Sequence, residues 1–265
     1  MTAMMKGIFT PLSGAVAQER VLEIIANNLA NINTNAFKAE NVSFTVLEPE
    51  PQQNYKTPIP PAAYKIDIGE MMPLRGNEMQ YVGVAEVSRD SVQGPVIQTK
   101  NPLDLMIEGE GYFGVMTDEG MRYTRDGSFT LNSEGVLSNK NGSPVQGEKG
   151  AIYLRSTQFE INHRGEVYQG GQMIDRIATY QFEDQKSLER VGSNLYFHNG
   201  PDTQISKANK ANIQQGMLEG SNVNAIKSMT AMILAHRSYE AYQKAITNYD
   251  TMMDRSANSI GDVQA

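Results

Sequence analysis

Apolar positions follow a helical period at the two ends of the chain and lose it in between. Near the start, Ala15, Leu22 and Leu29 fall seven apart, and Ile25 and Ile32 run in a second row beside them. Leu22, Ile25, Leu29 and Ile32 therefore share one stripe, opposite Glu19, Arg20, Glu23, Asn27 and Asn31. That pattern predicts an amphipathic helix over 12–34 with one apolar seam. Asparagine is a weak helix former, so the Asn-rich run should end the helix near Asn33 to Asn35. From about Ile213 the period returns. Ala225, Met232, Tyr239, Ile246, Met253 and Ile260 are seven apart, and Ala235, Tyr242 and Tyr249 make a row three residues on. Ser221 or Asn222 is the expected N-cap. Such a helix extends on the order of 50 Å at ~1.5 Å per residue, a length that calls for a partner helix.

Between the ends the punctuation changes. Residues 48–61 hold five prolines in 14 residues, which forbids regular helix or central strand and predicts an extended connection. From Ala85 onward short β-prone runs alternate with turn signals at Gly120, Gly127, Gly135, Gly142 and Gly165. Strands at ~8–12-residue spacing point to a compact all-β domain, sandwich or open barrel. The expected fold class is α+β, with N- and C-terminal helices pairing as a coiled coil and a central all-β domain between them. The expected boundaries are a helical segment at 1–40, a proline-rich linker or irregular subdomain at 41–83, the β domain at 84–206, and a long helical segment at 207–265.

Charge and composition remove several functions. The formal charge of −7, with no basic cluster, is a poor match to nucleic-acid phosphates or anionic lipid. Without cysteine there is no disulfide, thiolate metal site or cysteine nucleophile. No apolar run approaches the ~18 residues of a membrane span, and the N-terminus lacks the continuous ~7–15 apolar residues of a cleavable signal. The chain is thus expected to stay in the cytoplasm or to be exported uncleaved.

The one chemical motif is Gly109-Glu110-Gly111-Tyr112-Phe113-Gly114, at the G-x-G-x-x-G spacing of a dinucleotide site. Such a site needs a helix starting within the glycines to receive the pyrophosphate. Two Gly-bearing turns follow at once, so the glycines are read as a turn or bulge between two short strands. His163, His198 and His236 show no metal-ligand spacing, and His236 beside the seam reads as packing. The carboxylate pairs Asp118/Glu119 and Glu108/Glu110 flank turn glycines. No catalytic, cofactor-binding or metal-binding residue is assigned, no small-molecule substrate is expected, and neither is direct membrane insertion.

Four blocks carry a likeness: Ala26–Lys38 (ANNLANINTNAFK), Asn101–Val115, Tyr123–Leu137 and Leu218–Ile246. In order and wording they resemble the bacterial flagellar rod and hook proteins, most of all a basal-body rod protein of the proximal-rod type, with distal-rod and hook subunits as relatives. The resemblance implies a structural subunit that travels through the flagellar export machinery without a cleaved signal. It further implies assembly with itself and other rod subunits through the terminal helices, and transmission of torque in the periplasmic rod. Ala26 to Asn31 match the N-terminal motif, and Ser221, Asn222, Val223 and Asn224 match the motif opening the C-terminal helix. The expected assembly interface takes in Leu22, Ile25, Asn27, Asn28, Leu29, Asn31 and Ile32 at one end. At the other it takes in Ser221, Asn222, Val223, Asn224, Met229, Met232, Tyr239, Tyr242, Ile246, Tyr249 and Met253. One departure stands out. Ala36 occupies a place where the family usually has Gly, and if that place needs positive φ, alanine strains it by roughly 1 kcal/mol. The competing readings are a distal-rod or hook-type axial subunit, a dinucleotide-binding oxidoreductase and a soluble coiled-coil adaptor.

Overall fold

The computed structural model describes residues 8–47, 81–156, 158–192, 194–201, 204–208 and 211–261. The proline-rich 48–61 stretch lies outside them. A helix near each end flanks a β-rich region, an α+β architecture. The described residues fall into two compact units. One takes those of Met1–Asn27, Glu40–Ser88 and Ile226–Ala265; the other takes those of Asn28–Ala39 and Arg89–Ala225.

The first unit contains most of helix α1 (Phe9–Ala30), the two-stranded sheet of β1 (Glu40–Leu47) and β2 (Tyr81–Arg89), and most of helix α2 (Ala225–Gly261). Helix α1 starts earlier than expected. Pro11 sits in its first turn, where the missing N–H has no intrahelical partner to lose. It also ends earlier, at Ala30, where i→i−3 bonds tighten the chain: Asn31 N to Asn28 O, Ile32 N to Leu29 O and Thr34 N to Asn31 O. Helix α2 begins at Ala225, so Asn224, not Ser221 or Asn222, takes the N-cap position. Ser221 instead accepts from Val223 N through its hydroxyl.

In the second unit an antiparallel six-stranded sheet dominates. Its order is β13 (Leu188–Gly192), β14 (Leu195–His198), β6 (Gly120–Thr124), β5 (Tyr112–Thr117), β12 (Thr179–Phe182) and β15 (Ile205–Lys207). Alternation along β5 splits two cores. Phe113 and Val115 join the larger one with Leu105, Ile107, Phe129, Leu137 and Ile213. Tyr112, on the other face, packs on a smaller aromatic cluster of Tyr123, Phe182, Leu188 and Tyr196. Around the larger core lie β7 (Thr130–Leu131) with β8 (Leu137–Ser138), and an antiparallel sheet of β9 (Glu160–Ile161), β10 (Glu166–Gln169) and β11 (Gln172–Arg176). The run from Ile174 to Phe182 is thus two strands in two sheets, broken at Ile177-Ala178. Strand pairing also continues past the expected boundary at 206. Strand β16 (Asn212–Gln215) pairs with β4 (Leu105–Glu108), and β17 (Met217–Glu219) with β3 (Val96–Gln98). Gln-rich and interrupted by Gly216, these strands lack an apolar alternation, and only their partners define them.

Three turns share one design. In Asn132-Ser-Glu-Gly135-Val136, Asn139-Lys-Asn-Gly142-Ser143 and Asn162-His-Arg-Gly165-Glu166, the asparagine Oδ1 accepts from the backbone two and four residues on. In each, the glycine N donates back to the asparagine carbonyl at positive φ. At the third, hydrogen bonds from Arg176, Asn162 and Tyr168 hold the Glu166 carboxyl down at about 2.

Ala36 has φ 55, is buried, and donates its N–H to the Glu219 carbonyl. The position needs the left-handed conformation, and alanine occupies it under strain. Ala36→Gly should therefore raise the unfolding free energy by about 1 kcal/mol, the relief of strain exceeding the added flexibility of the unfolded chain. Denaturant unfolding measures it, and an unchanged or lower midpoint would mean that the backbone here is not strained.

Candidate assembly interface

Glu219 ends β17 with its carboxylate 1% exposed. Oε1 accepts from Lys38 Nζ at 2.5 Å and Gly94 N at 3.1 Å, and Oε2 from Arg125 Nε at 3.0 Å. Arg125 also donates to three carbonyls: Gly111 at 2.9 Å, Gly109 at 2.8 Å and Ile107 at 3.3 Å. Lys38 also donates to Val92 O at 2.8 Å. Burial holds the Lys38 ammonium below the usual lysine range, although Glu219 pulls the other way. Over the same guanidinium lies Tyr112, 5.8 Å from ring centre, whose phenol burial pushes up to about 12.

This arrangement accounts for the glycine pattern. Gly109 and Gly111, both at positive φ, turn the chain between β4 and β5 so that their carbonyls face Arg125. At Gly114 a Cβ would stand 2.6 Å from the Tyr180 ring, so the strand has room there only for glycine. A strand, not a helix, follows the glycines, and a pyrophosphate has no helix N-terminus to meet.

Amides tie the segment after α1 to the same unit. Asn222 Oδ1 accepts from Ala39 N, and its Nδ2 donates to Asp90 O and Val92 O. Asn194 Nδ2 donates to Asn35 O, and Arg190 lies 4.6 Å over the buried Phe37 ring. Sequence reading passed over Lys38, Arg125, Glu219 and Asn194. The available sign was a charged or amide residue inside otherwise apolar or turn-forming words.

In the helical unit α1 and α2 pack together. A Cβ on Gly14 would fall 2.5 Å from Tyr242 Cε1, so the absence of a side chain there lets the tyrosine ring lie on the backbone of α1. The row Leu22, Ile25, Leu29 and Ile32 is half-buried, whereas Ala17, Ile24 and Asn28 beside it are buried. Asn27 is exposed and Asn31 half-buried. On α2, Met232, Tyr239, Tyr242, Ile246 and Met253 are half-buried along one face, joined by buried Ala235. Ser221 is buried, Asn222 and Val223 half-buried, and Asn224 exposed. Met229 and Tyr249 are exposed. Outside the seam, the first half of α2 presents Ile226, Met229, Ile233 and Leu234 at 79%, 51%, 55% and 59% exposure.

Among the described residues no group of His, Cys, Asp and Glu is placed to hold a metal ion. None of the described helices is long and apolar enough to cross a membrane.

Comparison with known proteins finds three family models in chain order. Residues 10–38 match the flagella basal body rod protein model, 106–169 the flagellar hook protein FlgE/F/G D1 domain, and 214–260 the flagellar basal body rod FlgEFG protein C-terminal model. The chain is similar to the flagellar basal-body rod protein FlgF of Caulobacter vibrioides, 32% identical over 97% of this chain and 98% of the relative. It is similar to the flagellar basal-body rod protein FlgG of the same organism, 31% identical over 96% and 98%. The flagellar hook-basal body complex protein FlhO of Bacillus subtilis is 30% identical over 98% and 100%.

Two outcomes check this geometry. Glu219→Gln leaves two buried cations without their anion and should cost about 3–5 kcal/mol in denaturant unfolding, whereas Lys38→Met leaves a neutral Arg125–Glu219 pair and should cost far less. Equal losses would mean that the carboxylate does not carry the charge balance. Gly14→Ala should destabilise by about 1 kcal/mol against the Tyr242 ring. In a Tyr242→Ala background it should instead stabilise by about 0.8 kcal/mol through helix propensity. The same sign in both backgrounds would remove the ring from the explanation.

Proposed function

We propose, starting from the fact that this chain belongs to the flagellar basal-body rod protein family and is a structural subunit of that rod, that its terminal helices form a coiled coil that joins neighbouring rod subunits. Its place is the flagellar basal body, among other rod subunits. The finer reading is a mechanical, non-catalytic part of the proximal rod. It reaches the periplasm through the flagellar export machinery without a cleaved signal and passes torque from motor to hook. The wording of Leu218 to Val223 supports the proximal type.

One observation carries the assembly reading. Helix α2 runs 37 residues, about 55 Å at ~1.5 Å per residue. One face of it lies in the seam, and a second apolar stripe of Ile226, Met229 and Ile233, at spacings of three and four, faces outward. A stripe of that kind is stabilised when another helix covers it. Covering these three side chains offsets the ordering of the helix, at about 1.5–3 kcal/mol for each fully buried one.

Ile226→Asp together with Ile233→Asp tests this. The variant should keep the helix content of the parent by far-UV circular dichroism, because neither side chain lies in the seam. It should fail to enter isolated hook–basal bodies and leave the source bacterium non-motile. Normal incorporation and swimming would overturn the role of this stripe.

A further inference from the structure

The chain carries two Asn-Gly pairs, Asn141-Gly142 and Asn199-Gly200. In such a pair the asparagine side chain is open to attack by the following backbone nitrogen, because glycine has no Cβ to keep that nitrogen from the amide carbon. Whether the attack proceeds depends on what the nitrogen and the asparagine are already bonded to in the fold.

Asn141-Gly142 lies in a turn that holds both reacting groups. Gly142 N donates to Asn139 O at 3.0 Å, and Asn141 N and Ser143 N donate to Asn139 Oδ1 at 3.0 and 2.8 Å. The glycine is fixed there at φ 86. Turning Gly142 N onto the side chain of Asn141 breaks the first of these bonds and opens the turn.

Asn199-Gly200 stands just past β14 and is held differently. Asn199 N donates to Ser187 O at 2.9 Å, which anchors the chain as far as the Asn199 Cα. Beyond that point the restraint stops. Asn199 is exposed, and among the described residues neither its side-chain amide nor Gly200 N has a hydrogen-bond partner. Gly200 lies outside the strands and touches side-chain tips: a Cβ there would stand 2.8 Å from Gln204 Oε1 and 2.8 Å from His198 Cε1. Pro201 follows and has no N–H with which to tie the glycine into a turn.

We propose that Asn199 is a self-modifying site, which converts to aspartyl and β-aspartyl residues in the folded protein while the turn keeps Asn141 intact. Gly200 N gives its proton to solvent and bonds to Asn199 Cγ; the Cγ–Nδ2 bond breaks and ammonia leaves. Water then opens the resulting succinimide at either carbonyl. Opening at Cγ leaves aspartate on an unchanged backbone, whereas opening at the main-chain carbonyl carbon routes the backbone through Cβ and lengthens it by one carbon. Either product adds one negative charge to a chain whose formal charge is −7. The β-aspartyl form also lengthens the chain where Gly200 fits between the His198 ring and the Gln204 side chain.

Peptide mapping by mass spectrometry tests the proposal, on the full chain kept in warm, mildly alkaline buffer, folded or denatured, and digested with trypsin in slightly acidic buffer. In the folded chain, peptide 191–207 should gain about 1 Da and split into aspartyl and β-aspartyl forms. Its rate should stay within about threefold of its rate in the denatured chain, whereas peptide 141–149 should lag its own denatured rate by about tenfold, the effect of one hydrogen bond given up. Asn199→Gln, whose side chain would have to close a larger ring, should leave 191–207 unchanged in mass over the same time. Equal ratios of folded to denatured rate at the two sites, or a mass gain that persists in Asn199→Gln, would overturn the proposal.

Discussion

A carboxylate shut away from water sets the terms for the rest of this molecule. Glu219 needs its charge answered inside the protein, and the answer comes from Lys38, 181 positions away, and Arg125, 94 away. A buried ion pair is weak support for stability, because desolvation consumes most of the attraction, but it is demanding about geometry. Lone pairs and protons left over must each find a partner, which recruits Gly94 N, Val92 O and the carbonyls of Ile107, Gly109 and Gly111. Each of the four blocks that resemble the rod family supplies one part of this centre. Lys38 closes the first, the three carbonyls lie in the second, Arg125 is in the third and Glu219 is the second residue of the fourth. The most recognisable words of the chain are those that meet at one point.

That centre also explains why a glycine pattern with the spacing of a nucleotide fingerprint has nothing to do with nucleotides. In a dinucleotide site the glycines let backbone N–H groups approach a pyrophosphate. Here they turn carbonyls toward a guanidinium, the opposite polarity. The third glycine makes room for an aromatic ring on the far face of β5. Identical spacing serves opposite electrostatics because glycine records permission for close approach and says nothing of what approaches.

What could be read from the chain was what repeats locally. The heptads of α2 and the turn glycines follow from short-range sterics, and both stand where the residues put them. The seam of α1 was displaced by a residue toward Ala17 and Ile24, because a pattern search weighs Leu and Ile and overlooks the small residues that admit a partner ring, as Gly14 admits Tyr242. Strands β16 and β17 were invisible for a different reason. Asn212–Gln215 has little strand character of its own and pairs only because β4 offers it an edge. The charged centre was least visible of all, since its members share neither period nor neighbourhood. Ala36 was the exception: the resemblance of its block to the rod and hook proteins pointed to its positive φ.

The hydrogen bond from Asp90 N to Ala39 O, at 2.8 Å, joins the place where the chain leaves the β unit to the place where it returns, and the Asn222 side chain spans the same two segments. The chain thus closes on itself between Ala39 and Asp90. The ends of this stretch are already together, so lengthening or shortening it changes the closure entropy by only about 0.6 kcal/mol per doubling. Loop-closure entropy therefore sets little limit on how many residues stand between Ala39 and Asp90.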